Sequence, residues 1–395
     1  MKSWKIHVAG ALAAVSLAGP VLAQSNTPAA PAPKTWVDTL SFKGDLRYRH
    51  EAIQDDAKKD ASGDTFTRER NRIRARLGAE AKIDSKLKAG LELSTGQTDP
   101  VSGNQTLGDG FGKKEMRLNL AYADYSFFGD ANPCEVHAIA GKMKNPFITM
   151  GSDDLVWDAD ATPEGLAAKA QVGNDFATLF ANGGYMWGQE RSADDDLMLY
   201  AGQAAAKLQF IPEISLTAGA AIYAFQNVEG YDVLDWEAKN NPYGNSTQDG
   251  TIVDGTTNRA WAADYTPVAY FAQLDVWALG QPATFFIQEL TNPKADSQDQ
   301  GHLYGVALGK AKNLHTWEVG YSHAELQKDA TLGMLTDSDR WGGGTDGRSH
   351  RIYAKYQLLK NLQLAATCFA GEKKISDAAK TTDYDRLQLD VAVNF

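Results

Sequence analysis

The last twelve residues, Tyr384 to Phe395, alternate between apolar and mostly polar side chains, and this pattern limits the folds open to the chain. From Leu387 onward every odd-numbered position is apolar, and this series runs to the terminal aromatic residue Phe395. Because successive side chains of a strand point to opposite faces, we predict a strand with one apolar and one polar face. Such a strand fits either a transmembrane β-barrel or the edge of a water-soluble sandwich.

The amino terminus has the features of a secretory signal. Lys2 and Lys5 precede a short apolar run, and Val21-Leu22-Ala23 offers the small residues that a signal peptidase reads. We predict a signal peptide over residues 1–23, a flexible segment rich in Pro and Ala over 24–35, and a folded domain over 36–395. No later run of apolar residues is long enough for a membrane-spanning helix, which argues against a helical membrane protein.

The composition narrows the class of protein further. The formal net charge is −11, and removing Lys2 and Lys5 with the signal leaves −13, so nucleic acid is not an expected partner. Two cysteines are too few for a small secreted disulfide scaffold. The protein is therefore expected in the periplasm, the extracellular space or the outer membrane.

The same alternation recurs near residues 40–49, 72–83, 86–94 and 351–358. Residues 68–82 also fit an Arg- and Ala-rich helix, because Ile73 and Leu77 are four apart. A helix would scatter its arginines around the axis, whereas a strand places them on one face, and we favour the strand.

Connections of two lengths also alternate along the chain. Tight turns are predicted near 84–85, 173–175, 211–213, 280–282, 311–313 and 360–361, and long polar loops at 51–65, 97–113, 146–165, 189–196, 227–259, 292–300, 328–346 and 372–382. Short turns at one end and long loops at the other are typical of an outer-membrane barrel. We predict an all-β, antiparallel up-and-down barrel of about 16 strands, whose first and last strands pair.

In the predicted barrel, the alternation indicates which side chains line the lumen. If the apolar set faces lipid, the polar set faces the channel. A basic wall then follows, consisting of Arg47, Arg49, Arg68, Arg70, Arg72, Arg74, Arg76, Lys86, Lys88, Arg351, Lys355 and Arg386. The alternative is that these cations lie on the wet face of a soluble sheet.

Acidic residues concentrate in the third long loop. This loop carries Asp153, Asp154, Asp158, Asp160 and Glu164, together with the apolar Leu155-Val156-Trp157. Because these three apolar side chains need a place to pack, we expect the loop to fold into the barrel and set its carboxylates against the basic wall. The alternative is an exposed acidic loop.

Four segments carry a resemblance to a known family. Gly44–Arg49, Arg70–Gly78, Gly141–Pro146 and residues 157–165 resemble the putative-porin family of Gram-negative bacteria, and the likeness runs through nearly all of the chain after the signal. The carboxyl-terminal strand ending in Phe395 also resembles the closing strand of outer-membrane barrels, where that residue serves as an assembly signal. The resemblance implies a passive outer-membrane channel that contacts lipid, lipopolysaccharide and the barrel assembly machinery and can form a homotrimer.

No motif indicates catalysis or a cofactor. The zinc-protease, nucleophile-elbow, phosphate-loop and haem-attachment patterns do not occur in the sequence. Asp158 and Asp160 begin like a calcium loop, but Pro163 stands where the tight-turn glycine is needed, so no metal is predicted. We expect a porin for small hydrophilic solutes and ions. The alternatives are a channel specific for an anion or a sugar, and a secreted β-rich binding protein.

Overall fold

The described part of the chain forms a closed barrel. A computed structural model describes residues 39–128, 134–151, 153–234, 236, 241–253 and 256–395. Sixteen strands pair antiparallel in chain order, and the last pairs with the first. The predicted fold class and strand number are confirmed. The predicted signal peptide (1–23) and flexible segment (24–35) lie outside the described residues.

Sixteen strands build the wall, and shorter elements lie in the loops. The wall strands are β1 Leu40–Lys59, β2 Thr65–Lys82, β3 Leu87–Thr95, β4 Met116–Ser126, β5 Cys134–Lys142, β6 Glu164–Gly173, β7 Ala177–Gln189, β8 Leu197–Ile211, β9 Ile214–Gln226, β10 Val268–Ala278, β11 Gln281–Thr291, β12 Gln300–Gly309, β13 Trp317–Leu326, β14 Gly347–Leu359, β15 Leu362–Lys373 and β16 Thr382–Asn394. The loops hold strands Gln105–Thr106, Thr247–Val253 and Thr256–Trp261, and the 3-10 helices Gly333–Leu335 and Arg340–Gly342. Among the described residues, no helix is long and apolar enough to span a membrane.

The closure between β16 and β1 extends to the last residue. The Phe395 N–H donates to the Gly44 carbonyl at 3.0 Å, and the Gly44 N–H donates to the Phe395 carbonyl at 2.8 Å. A Cβ atom at position 44 would lie 2.7 Å from the Phe395 ring, so only glycine fits at this position without displacing the terminal ring. The terminal aromatic residue is therefore part of the closed seam.

Short and long connections alternate around the barrel, as predicted. One end has the turns 83–86, 174–176, 212–213, 279–280, 310–316 and 360–361, and the other end has loops 1 to 8 at 60–64, 96–115, 143–163, 190–196, 227–267, 292–299, 327–346 and 374–381. The prediction of a long first loop over 51–65 is wrong. β1 and β2 continue as a paired hairpin and leave only residues 60–64 to turn the chain.

On the closing strand β16, the inward-facing and outward-facing residues alternate as predicted. Leu387, Leu389 and Val391 are 36–45% exposed on the outer face, while Arg386 and Gln388 between them are 4% and 2% exposed. Both sets belong to one strand, so the difference reflects the face and not the depth. Apolar exposure on the outside is what a lipid-facing surface requires.

Candidate functional site: the lumen and its infolded loops

Loop 3 (143–163) crosses the lumen. Its backbone N–H groups at Ile148, Gly151 and Leu155 each donate to a glutamine side chain at 2.8–2.9 Å. The three glutamines stand on three different wall strands, β8, β10 and β11, and are Gln203, Gln273 and Gln288. The loop therefore lies inside the barrel and is held along its length by inward-facing amides.

Apolar packing fills one half of the lumen. Trp157 of loop 3 lies against Phe147 and against Tyr223 of β9, with ring centroids 6.2 and 5.9 Å apart. Many inward positions of this half, beside the glutamines that hold loop 3, are buried apolar residues, and these include Met186, Leu199, Phe271 and Leu303. The assumption that only polar residues face the lumen is therefore wrong for strands β7 to β12. Loops cover these positions, so the inner face of the wall behaves as a protein core.

Loop 5 (227–267) belongs to the same apolar half. Trp261 and Tyr265 are 1% and 0% exposed, and both belong to the cluster that contains Trp157 and Tyr223. The Tyr265 hydroxyl donates to Asp329 of loop 7 at 2.8 Å.

Loop 7 (327–346) also folds inward, which no pattern in the sequence predicted. Its residues Leu332, Met334 and Trp341 are at most 3% exposed. The Asp158 N–H donates to the Leu335 carbonyl at 2.7 Å, and the Ser338 N–H donates to the Asp158 carboxylate at 2.9 Å. Loops 3 and 7 therefore dock onto each other through Asp158.

Asp153 is buried and anchors loop 3 to loop 7 and to the wall. Its carboxylate contacts Arg340 of loop 7 at 2.5 Å and Arg351 of β14 at 3.3 Å, and it accepts a hydrogen bond from Ser322 at 2.8 Å. Burial by itself would raise the pKa of Asp153, but the two guanidinium groups outweigh it and hold this pKa at about 2. Asp153 therefore contacts one member of the predicted basic wall, Arg351, and lies away from the arginines of β1 and β2.

Asp154 is a second internal anchor. Its carboxylate accepts the N–H groups of Val156 and Trp157 at 2.8 and 2.9 Å, and the Gln288 amide donates to it at 3.2 Å. Burial raises the pKa of Asp154 to about 6 against the lowering effect of these donors. Like Asp153, it lies away from the arginines of β1 and β2.

Asp160 is the loop 3 acid that meets the arginines of β2. Its carboxylate lies 3.1 Å from Arg74 Nη1 and 3.8 Å from Arg76 Nη1, and it accepts the Gly103 N–H of loop 2 at 3.2 Å. Glu164 begins β6 and pairs with Lys142 at 2.8 Å across the mouth of loop 3. Of the five predicted acids, Asp160 therefore contacts the arginines of β2, whereas Asp153 contacts Arg351 of β14.

The wall carries its own carboxylates, which the sequence reading did not include. Glu51 is fully buried and lies between Arg70 at 2.6 Å and Arg386 at 2.7 Å, with Arg49 and Arg72 at 3.6 and 3.7 Å. Glu51 has the same odd-numbered phase as Arg47 and Arg49 on β1, and that signal could have identified it. One carboxylate thus serves four guanidinium groups.

Three further carboxylates form ion pairs with arginines of the wall. Asp45 contacts Arg74 and Arg76 at 3.1 and 2.5 Å. Asp390 pairs with Arg49 at 2.7 Å, and Asp339 of loop 7 lies 3.1 Å from the same guanidinium. The wall is therefore a network of arginines and carboxylates with an excess of arginine. The predicted basic wall did not include these carboxylates.

The other predicted wall residues lie outside this network. Lys86 is exposed in the turn before β3 and its N–H donates to Asp84, and Arg68 is exposed near the loop end. Lys88 and Lys355 pair with carboxylates of neighbouring strands, Asp124 at 3.6 Å and Glu318 at 2.9 Å. The alternation along the strands predicts that all these side chains face inward, but it does not predict which of them join the arginine network.

Two cavities flank the point where the loops meet the wall. One of about 680 Å³ is lined by Arg68, Arg70, Arg72 and Arg386 among others, and by loops 2 and 7. The other, of about 810 Å³, is lined by Arg76, Lys142, Asp160 and Glu164, and by Trp157 and Leu335. Within the ranges that the structure covers, no group of three His, Cys, Asp or Glu side chains is placed to hold a metal ion.

A closed sixteen-stranded barrel with short turns, long loops, an apolar outer face and a charged lumen crossed by its third loop defines a porin-type outer-membrane channel. The family model described as "Putative porin" matches residues 57–258, just over half of the chain. The chain belongs to this putative-porin family and is an outer-membrane channel protein that contacts lipid and solutes. The predicted family, function and location are confirmed at this level.

Solved structures agree on the fold. OprB of Pseudomonas putida, in a high-pH structure, is 11% identical, with 90% of this chain and 94% of that chain covered and a TM-score of 0.53. OmpT, an outer membrane protein of Vibrio cholerae, is 13% identical, with 93% and 100% covered and a TM-score of 0.50. No curated protein matches this sequence significantly. At these identities the likeness shows the barrel and nothing finer.

Proposed function

We propose that small hydrophilic solutes and ions diffuse passively along the arginine side of the lumen. The route runs between the wall formed by β16 and β1 to β4 and the surfaces of loops 3 and 7. One observation carries this proposal: the opposite half, from β7 to β12, is packed with apolar side chains, while the ion pairs lie on the side of β1, β2 and β16. Water and ions need the polar side.

In this proposal the charges of the wall and loops set the selectivity. Arg74 and Arg76 supply positive potential, and Asp160 and Asp339 supply negative potential from the loops that face them. Asp153 and Asp154 hold loop 3 in place and do not line the route. The protein moves solutes without converting them, so no catalytic group or cofactor has a role.

The partners follow from the same proposal. We infer that the barrel assembly machinery recognises the terminal strand with Phe395, whose side chain is 59% exposed. We also infer a homotrimer. Its support is an outer surface of small exposed residues on strands β5 to β8, which would let barrels approach closely: Ala138, Ala140, Ala168, Ala181 and Ala204.

The experiment is conductance in planar bilayers with the refolded protein, combined with swelling of proteoliposomes in sugars of increasing size. We expect ohmic single-channel steps and a swelling rate that falls smoothly with solute size. A folded protein that gives neither conductance nor swelling would contradict the proposal. Swelling with one sugar only, or conductance saturating with one solute, would favour the substrate-specific alternative. Cross-linking in mild detergent tests the trimer separately.

A further inference from the structure

The ion-pair network around Glu51 contains more arginines than carboxylates. Arg49, Arg70, Arg72 and Arg386 all lie within 3.7 Å of Glu51, and the further carboxylates that reach these four are Asp339 and Asp390. Arg47 adds a fifth guanidinium, bonded to the neutral Asn104 at 2.7 Å and without an ion pair to any described residue. Four guanidinium groups thus share three carboxylates and a fifth lies beside them, unpaired within the described residues, which leaves an excess of positive charge in a confined space.

The protein leaves some of this hydrogen-bonding capacity unused. The Nε atoms of Arg47, Arg72 and Arg386 are buried and have no hydrogen-bond partner among the residues the structure describes. The Arg386 side chain is only 3% exposed. A buried donor without a partner costs free energy, most of all on a charged group. The cluster is therefore incompletely neutralised by the protein itself.

Arg70, Arg72 and Arg386 form one side of the 680 Å³ cavity at the loop end of the barrel. Arg68 and Lys113 also line this cavity, and neither forms an ion pair within the described ranges. The volume is within the range of small-molecule sites, roughly 300–1,000 Å³.

Three of the four acidic residues that line the cavity already have cationic partners, and the fourth, Asp99, accepts the Val101 N–H at 2.9 Å. Asp55 contacts Lys373 at 2.6 Å and Lys58 at 3.6 Å. Asp109 pairs with Lys114 at 2.7 Å, and Glu115 pairs with Arg117 at 2.6 Å. These pairs leave the rim carboxylates little capacity to neutralise the arginines on the cavity wall.

We propose that this cavity is a binding site for a small multivalent oxyanion, a carboxylate or a phosphate, which completes the Arg70–Arg72–Arg386 cluster. A guanidinium group presents a planar fork of donors that matches two oxygens of a carboxylate or phosphate. A multivalent anion gains from several such groups at once, whereas chloride offers a single centre. In transport, this site would bind anions at the loop end of the barrel before they enter the channel. That role rests on the diffusion route proposed above.

The test measures binding and conduction separately. Isothermal titration of the detergent-solubilised full chain with sodium phosphate and with sodium succinate at low ionic strength gives the dissociation constants. In bilayers, each anion is then added to the loop side or to the turn side while the potassium chloride current is recorded. We expect saturable binding, and block of the current that is stronger from the loop side.

Two variants locate the site. Arg68→Gln with Lys113→Gln removes two unpaired cations of the cavity lining, and Arg72→Gln removes one guanidinium of the cluster. Each is expected to weaken anion binding by about fivefold or more, since each removes charge-assisted contacts. The matched control is Arg348→Gln, which changes an exposed outer pair with Glu372 and should leave binding unchanged. Heat-modifiable migration confirms that each variant is folded.

The outcomes are distinct. Binding of both anions supports an oxyanion site in general, and binding of one alone supports that chemistry only. Binding of neither, or binding that Arg348→Gln weakens as much as the cavity variants do, overturns the proposal. A protein that binds the anions but conducts no ions keeps this site and contradicts the proposed diffusion route instead.

Discussion

Asp160 of loop 3 lies 3.1 Å from Arg74 of β2, and this contact joins the infolded loop to the arginine wall. The same carboxylate accepts the Gly103 N–H of loop 2. Two loops and one wall strand therefore meet at a single acid. We therefore expect a solute that follows the proposed route along the arginine side to pass this contact.

Replacing Asp160 with Asn should shift the reversal potential in a potassium chloride gradient toward anion preference, since it removes a negative charge from the route. Arg74→Gln should shift it toward cation preference. Both shifts should shrink as salt shortens the screening length to about 10 Å near 0.1 M. The Asp154→Asn variant is the matched control, because that carboxylate lies away from the route. Unchanged selectivity in both Asp160→Asn and Arg74→Gln at low salt would place the conducting path elsewhere.

Replacing Arg340 with Gln should destabilise the docking of loops 3 and 7. Its pair with Asp153 is buried, with side chains 3% and 4% exposed, and removing one partner of such a pair costs about 3–5 kcal/mol. Thermal unfolding in detergent measures the loss, and single-channel records should show added current fluctuation. Arg348→Gln, in an exposed pair, should cost only about 0–1 kcal/mol. Equal losses for the two variants would be inconsistent with an anchoring role for Arg340.

Replacing Leu389 with Arg should destabilise the barrel by about 2–4 kcal/mol, because the side chain is 45% exposed on the lipid-facing side. The control is Thr367→Arg on β15. Thr367 faces the lumen next to this position, since Ala366 is opposite Leu389 and Thr367 is opposite Gln388. Folding in lipid vesicles under urea compares the two. A larger loss for Thr367→Arg would reverse the inside–outside assignment.

Deleting Phe395 should reduce the amount of folded protein in the outer membrane. The residue pairs with Gly44 at the seam, and its ring is exposed at the end of the last strand. Heat-modifiable migration on gels measures the folded fraction in outer-membrane preparations. Phe395→Tyr, which keeps the aromatic ring, is the control. If the truncated chain assembles as well as the full chain, the terminal residue has no role in recognition.

Raising the pH from about 4 to 7 should loosen loop 3. Burial raises the pKa of Asp154 to about 6, and the groups that face it are Asp153, Gln288 and the Val156 and Trp157 N–H groups. A folded-state pKa above the unfolded value means that the native state binds the proton more tightly, so stability falls as pH rises through this range. Asp158 and the partly exposed Asp337 act in the same direction, since desolvation and neighbouring carboxylates raise the pKa of both.

Hydrogen exchange of residues 143–163, corrected for intrinsic rates, measures this effect. Asp154→Asn should remove a large part of the pH dependence and leave exchange at pH 4 nearly unchanged. Exchange that slows as the pH rises would show that the sign is wrong. The pKa of Asp153 is held at about 2, below its usual value of 3.8, so this residue changes the stability mainly below pH 4 and contributes little within the window.

The strands that the sequence pattern predicts most clearly are those beside the charged part of the lumen. β1, β2, β14 and β16 have one lipid-facing and one watery face, so their apolar and polar residues alternate. In β7 to β12 the inward positions are largely apolar as well, because loops 3, 5 and 7 cover them. Such strands lack a clear period-two signal, and periodicity could not show which side of the barrel is filled.

The sequence by itself determined the barrel, its strand number, the arginine-rich face and which residues of the closing strand point inward. These features follow from the alternation of side chains along each strand, which is a property of neighbouring residues. Only the tertiary structure decided which acid meets which arginine. Arg340 and Asp153 are 187 residues apart, and Arg386 and Glu51 are 335 apart. No local pattern encodes such contacts, since they depend on how loops fold back through the closed wall. For this reason the family of channel was predictable, whereas the route through its lumen was not.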